Sequence, residues 1–250
     1  MHSTSYIVRF VLIMTAIVAV ILAFLSTALK PIHSQNEAVY NKRAVLKAVQ
    51  VDLGSKVSDL SDKEVLDVFT NQISQKVFDM SGKELTKEEV EAKGYKGGLA
   101  ENVDLAQEKK KPEAQRILPM YIFKMKDGKN RIIVSVRGSG LWDEIWGSIA
   151  LEEDLNTISG AAFDHKGETP GLGAEITDNA MFPKAFEGKK LYDADGTYKS
   201  VDVVKGGLSD PTHQVDAISG ATITTVGVGE MMVRGMKYYE PAFASLKKAN

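Results

Sequence analysis

The sequence predicts an α+β fold: one N-terminal transmembrane helix, then a domain with an antiparallel sheet and flanking helices. Three observations carry this. An uncharged apolar run fills residues 10–29, short strand patterns sit in pairs around turn residues, and helical patterns stand apart from them. The 250 residues divide into an anchor (1–30), a helical region (31–115) and an α+β domain (116–250). With 44% hydrophobic and 26% charged residues there is enough apolar mass for a core. A net charge of −2 argues against a nucleic-acid surface. The absence of cysteine excludes disulfides, thiolate metal sites and thiol catalysis, and fits an exported chain.

The run from Phe10 to Leu29 is long enough to span a bilayer core as a helix. Ser26 and Ala28 are small residues placed as signal cleavage needs, but the run exceeds an ordinary signal core and only Arg9 precedes it. A retained anchor is the expectation. Flanking charge does not orient it: Arg9 opposes Lys30, Lys42, Arg43 and Lys47, and large domains translocate largely regardless of such charge. Beyond the anchor the chain is mildly acidic and not built to hug anionic lipid.

Residues 37–51 carry Val39, Leu46 and Val49 among Lys and Arg, a modestly amphipathic helix. Ser61 and Glu64 form a capping-box pattern opening a helix with Val65, Phe69, Ile73 and Val77 four apart. Thr86 and Glu89 repeat the box for a shorter helix ending by Gly94. Residues 100–116, with Lys109, Lys110, Lys111 and Pro112, read as a solvated connector.

The period then changes to two. Residues 121–126 and 132–136 flank Asp127-Gly128 and predict a hairpin. Residues 148–152 and 157–163 suggest a second. Residues 190–193 and 198–205, around Asp195-Gly196, suggest a third. A final helix carries Val228, Met232, Met236, Tyr239, Phe243 and Leu246 on one face.

Three short stretches carry the chemistry. Asp216-Ala217-Ile218-Ser219-Gly220-Ala221-Thr222 precedes the last helix, whose first N–H groups and dipole favour a phosphate held on a nearby hydroxyl. The plain alternative is an N-cap by Thr224 or Thr225. Gly138-Ser139-Gly140-Leu141-Trp142 follows a strand without the third glycine or βαβ frame of a dinucleotide fingerprint, so a sharp turn and a cofactor contact both stand. In Glu168-Thr169-Pro170-Gly171-Leu172-Gly173-Ala174-Glu175, Pro-Gly marks a turn, and Gly171 and Gly173 could let backbone approach a flat ring. Of the four histidines, His165 and His213 read as loop or surface residues rather than ligands, and no metal site or catalytic dyad is evident.

Asp216 to Thr222 resembles the motif read by flavin transferases that join FMN to threonine through a phosphoester. The three stretches, in this order behind one membrane helix, resemble the NqrC family of sodium-pumping NADH:quinone oxidoreductases. The shorter RnfG family, or another anchored covalent-FMN electron carrier, is the alternative. The resemblance implies FMN on Thr222, with Ser219, Gly220 and Ala221 leaving room for the phosphate and the transferase, and Asp216 belonging to the transferase motif. It places Thr169, Pro170, Gly171, Leu172 and Gly173 along the ring and Gly140 with Trp142 nearby, although Trp142 could equally be core. Lys205 would neutralise the phosphate or simply end a strand. The implied role is electron relay from a membrane iron–sulfur site to the FMN of NqrB. The implied partners are the other members of a complex of six proteins, notably NqrB, NqrD and NqrE, and the flavin transferase. The soluble domain is expected on the outer side of the cytoplasmic membrane. The implied class is a component of a sodium-transporting NADH:quinone reductase, without activity of its own.

Overall fold

The computed structural model describes residues 3–249. They fall into two units, one ending at Asn41 and one beginning at Lys42. The first is a single helix, part of α1 (Thr4–Lys47), whose exposed apolar side chains include Phe10, Leu12, Leu22 and Phe24. Its mean hydropathy reaches 2.8, and it is long and apolar enough to cross a membrane.

The second unit starts with the end of α1, where Val45 and Leu46 are buried, and the short α2 (Gln50–Leu53). Helix α3 (Asp62–Gln72) opens with the expected capping box: Glu64 donates its N–H to the Ser61 hydroxyl, and the Ser61 N–H donates to the Glu64 carboxylate at 2.7 Å. It stops at Gln72, and Ile73–Asp79 is strand β1 rather than helix. The region 31–115 is therefore not wholly helical. A spacing of four fits a strand face as well as a helix face, since four is also a multiple of two, and Ile73 and Val77 are β-branched residues that favour the strand. Helix α4 (Lys87–Ala92) has the second box, Thr86 with Glu89.

Residues 100–116 are not a solvated connector. They include helix α5 (Leu105–Glu108), and Glu108 is buried. Its carboxylate accepts from the Tyr95 hydroxyl, from the Ile117 N–H at 2.8 Å and from Lys111 at 2.5 Å. Burial and the Glu108 carboxylate both push the Tyr95 hydroxyl above its ordinary range. The lysine run is an exposed face over a buried acid.

The sheet is an antiparallel meander in the order β1, β2 (Ile117–Lys124), β3 (Asn130–Ser139), β4 (Glu144–Leu151), β5 (Ile158–His165). The hairpin around Asp127-Gly128 is present, with Met120 opposite Val134, and so is the one joining β4 to β5, with Gly147 opposite Phe163. Both faces are covered. On one, Phe69 meets the Tyr121 ring edge-on at 5.9 Å, and Gly160 lets the Ala48 carbonyl approach. The short α6 (Glu175–Asp178) and α7 (Met181–Lys184) pack on β5.

The third expected hairpin is mostly absent. Tyr192 and Tyr198 form one isolated antiparallel bridge. β6 (Asp202–Val204) instead pairs in parallel with β7 (Gln214–Asp216), a small second sheet. Helix α8 (Thr222–Tyr238) then lies across β3 and β6, burying Val228, Met231, Met232 and Met236. The apolar face continues into α9 (Glu240–Ala249), but the helix breaks at Tyr239, just before Pro241. The buried Tyr239 hydroxyl reaches the carbonyls of Pro119 and Ser135, each at 2.9 Å, fastening the break to β2 and β3.

Candidate functional site

A cleft of about 240 Å³ opens where three elements meet. The β3–β4 turn supplies Leu141 and Trp142, the turn after β5 supplies Glu168, Thr169, Leu172 and Gly173, and the start of α8 supplies Gly220 through Thr224. All three chemistry-bearing stretches of the sequence converge on it.

The helix wall begins at Ala221, whose side chain cannot cap the first turn, and no side-chain cap is present. This removes the ordinary N-cap reading of Thr224 and Thr225. Thr225 donates its hydroxyl to the Ala221 and Thr222 carbonyls at 3.0 and 3.1 Å, and Thr224 donates to a Glu168 carboxylate oxygen at 2.7 Å. Both are buried and committed. Thr222 is half-buried at the first helical position, and among the described residues its hydroxyl makes no such bond. Uncapped N–H groups and the positive end of a 17-residue helix therefore face the same cleft as a free hydroxyl.

The remaining walls are apolar and open. Leu141 is 48% exposed, Trp142 70%, Leu172 47% and Ile223 62%. Trp142 is thus not a core residue. Four large exposed apolar side chains gathered around one cleft are the kind of patch that ligand sites present. Gly220 has φ +84° and brings Leu172 Cδ2 within 3.5 Å of where its Cβ would stand. The arrangement suits a flat apolar body carrying an anion at the helix end.

Glu168 is the polar centre of the site. It is 5% exposed, and one carboxylate oxygen accepts from the Trp142 N–H at 2.9 Å and more weakly from the Asp143 N–H at 3.4 Å. Its other oxygen takes the Thr224 hydroxyl. Burial pushes its carboxyl up, but the Thr224 hydroxyl and the two amides outweigh that and hold it below the ordinary glutamate value. Two glycines make room for it. A Cβ on Gly140 would overlap its first oxygen, and a Cβ on Gly173 would overlap its second and stand 2.7 Å from Thr224 Oγ1.

The structure separates the expected site residues. Thr222, Gly220, Ala221, Thr169, Leu172, Gly173 and Trp142 line the cleft. Gly140 does not; it packs on the buried acid. Gly173 also turns its missing side chain toward Glu168 and Thr224, so the need for glycine there comes from the acid. Gly171, at φ +74° with open space around it, serves the turn. Pro170 and Ser219 are exposed beside the lining residues. Asp216 ends β7, exposed, and Lys205 follows β6, exposed; neither lines the cleft. The Ala217 N–H donates to the Val204 carbonyl at 2.8 Å, which keeps the Lys205 backbone beside the loop leading to Thr222. Sequence reasoning does not assign Leu141, Ile223, Thr224 or Glu168 to the cofactor. An apolar Leu-Trp pair on a glycine turn was the available signal for Leu141. Nothing in the sequence marks Glu168 as buried.

Comparison with known proteins adds independent findings. Residues 140–237 match the FMN-binding domain family. The chain is 32% identical to NqrC of the Na(+)-translocating NADH-quinone reductase of Pseudomonas aeruginosa, covering 99% of this chain and 97% of that one. The NqrC of Vibrio anguillarum is 44% identical over 110 residues, 44% of this chain. Among solved structures, the NqrC of Parabacteroides distasonis superposes with a TM-score of 0.72 at 31% identity, covering 86% of this chain and 96% of that one. NqrC of Shewanella oneidensis gives 0.67 at 29%, covering 83% and 96%.

Proposed function

The chain belongs to the NqrC family of Na+-translocating NADH-quinone reductases, an oxidoreductase complex, and we propose on that premise that it carries FMN esterified through phosphate to Thr222 and relays electrons within that complex. The observation that carries this reading is the Thr222 hydroxyl, free at an uncapped helix start and facing a cleft rimmed by exposed apolar side chains.

The residues divide the work. The Thr222 oxygen forms the ester bond, and the first N–H groups of α8 receive the phosphate charge. Ser219, Gly220 and Ala221 add little bulk beside the hydroxyl, which suits approach by a flavin transferase reading Asp216 through Thr222. Trp142, Leu141, Leu172 and Ile223 cover the faces of a ring and exclude water from it. FMN, when bound, supplies the electron-carrying chemistry. Lys205, exposed on its glycine-rich loop, would offer a positive charge toward the phosphate. No residue needs to act as a general acid or base, because the protein tethers, orients and tunes.

The long apolar helix is a retained single-pass anchor in this reading, with the domain on the outer side of the cytoplasmic membrane. There it passes electrons from a membrane iron–sulfur site to the FMN of NqrB, among partners that include NqrD and NqrE. The test is Thr222→Ala in the native host. We expect a folded chain whose flavin fluorescence no longer survives a denaturing gel. Fluorescence that does survive moves the ester to another hydroxyl and contradicts the assignment.

A further inference from the structure

We propose that Glu168 is the positioning residue of the cofactor cleft, a buried anion that ties its three walls together and holds the reduction potential of whatever ring occupies it down. The inference rests on the FMN reading and goes beyond it by assigning the residue that organises the site and sets its electrostatics.

The bonds leave little freedom. The carboxylate takes N–H groups of the β3–β4 turn at Trp142 and Asp143 and the hydroxyl of Thr224, two residues beyond Thr222 in the first turn of α8. It belongs itself to the turn carrying Thr169 and Leu172, where the Leu172 and Ala174 N–H groups close back on the Thr169 carbonyl at 3.1 Å. One side chain thus fixes the Trp142 wall, the Leu172 wall and the start of the attachment helix relative to each other. Gly140 and Gly173 are kept free of side chains against its two oxygens. A neutral isostere could make some of these bonds. The particular feature is charge: among the described residues no lysine or arginine pairs with Glu168, while nearby Asp143 and Glu144 have their own partners, Lys166 at 3.1 Å and Arg137 at 2.6 Å. A carboxylate without a lysine or arginine partner, held by hydrogen-bond donors with the His165 ring as its nearby titratable cation, lines the cleft. Reduction adds negative charge to the ring, and a nearby anion opposes that addition.

The experiment compares full-length wild type, Glu168→Gln and Thr224→Val, each isolated from the native host. Thr222 flavinylation is read on a denaturing gel, potential by spectral redox titration, and amide hydrogen exchange at Trp142 and Asp143. Glu168→Gln should keep covalent flavin and shift the midpoint potential positive. Thr224→Val removes one bond but keeps the charge, so its potential should stay at the wild-type value or fall. Exchange at the two amides should quicken in Glu168→Ala, made alongside, and much less in Glu168→Gln. An unchanged potential in flavinylated Glu168→Gln overturns the proposal. So does an equal positive shift in Thr224→Val, which would make loosening, not charge, the cause. If Glu168→Gln does not fold, the sign of the shift in Thr224→Val decides. A wild type lacking covalent flavin would instead sink the FMN reading, and the exchange data would still report whether Glu168 ties the turns.

Discussion

Gly173 shows what a residue's identity conveys and what it conceals. Read in sequence, a glycine after Pro-Gly-Leu suggests close approach to a ring. In the folded chain its empty side faces the Glu168 carboxylate and the Thr224 hydroxyl. Sequence signals that something sits close, while only the fold says what, because the neighbour is 51 residues onward in α8 (Thr224 against Gly173) as well as nearby in the turn. Gly173→Ala should therefore destabilise the soluble unit by about 1–3 kcal/mol through overpacking, read from the midpoint of a urea melt. A loss near zero would mean the acid has room to move. Glu168 also gives a pH signature. Its folded value lies below the ordinary glutamate value of about 4.3, so its contribution is complete above that value. It is lost as pH falls through the depressed folded value. Urea melts from neutral pH down to about pH 3 should show wild type losing stability over Glu168→Gln only at the acid end. A constant difference across the range would contradict this.

The place of α8 depends on how closely it can lie on β3. A Cβ on Gly227 would stand 2.5 Å from the Ser139 carbonyl oxygen, one on Gly138 would stand 2.7 Å from Met231 Cβ, and one on Gly235 2.8 Å from Val136 Cγ1. Small residues on both elements bring the helix down, and the face read from Val228 to Phe243 supplies the apolar contact. Gly227→Ala should cost about 1–3 kcal/mol and, because Thr222 begins the same helix, lower the fraction of chains carrying flavin. Unaltered stability would show that the helix can lift off without consequence. The capping boxes at Ser61 and Thr86 and the Asp127-Gly128 hairpin were legible because their signals are local. β1 was hidden by a four-residue spacing common to both periods. The parallel β6–β7 pair was hidden because pairing across a loop of nine residues, 205–213, leaves no local pattern.

For the molecule as a whole, the boundary that matters lies at Lys42. Arg43 donates to the Val57 and Leu60 carbonyls at 2.7 Å and to Asp62 at 2.8 Å, and Val45, Leu46, Ala48 and Val49 are buried. A chain beginning after Pro31 should fold without detergent and melt like the soluble part of the full protein. One beginning at Gln50 should lose at least the burial of Leu46 and Val49, several kcal/mol at about 1.5–3 kcal/mol per large apolar side chain. Equal melting of the two would show that the end of α1 is dispensable. The long apolar helix was legible from composition, and the convergence of three distant stretches followed from their resemblance to one family, not from any pattern within each. The central claim is that Thr222 is the site of attachment. It is tested most directly by digesting wild-type protein from its native membrane and sequencing, by mass spectrometry, the peptide that contains Asp216 through Thr225. The account predicts FMN bound through its phosphate on Thr222, with Thr224 and Thr225 unmodified. An unmodified Thr222 in flavin-bearing protein, or a peptide without flavin at all, would contradict it.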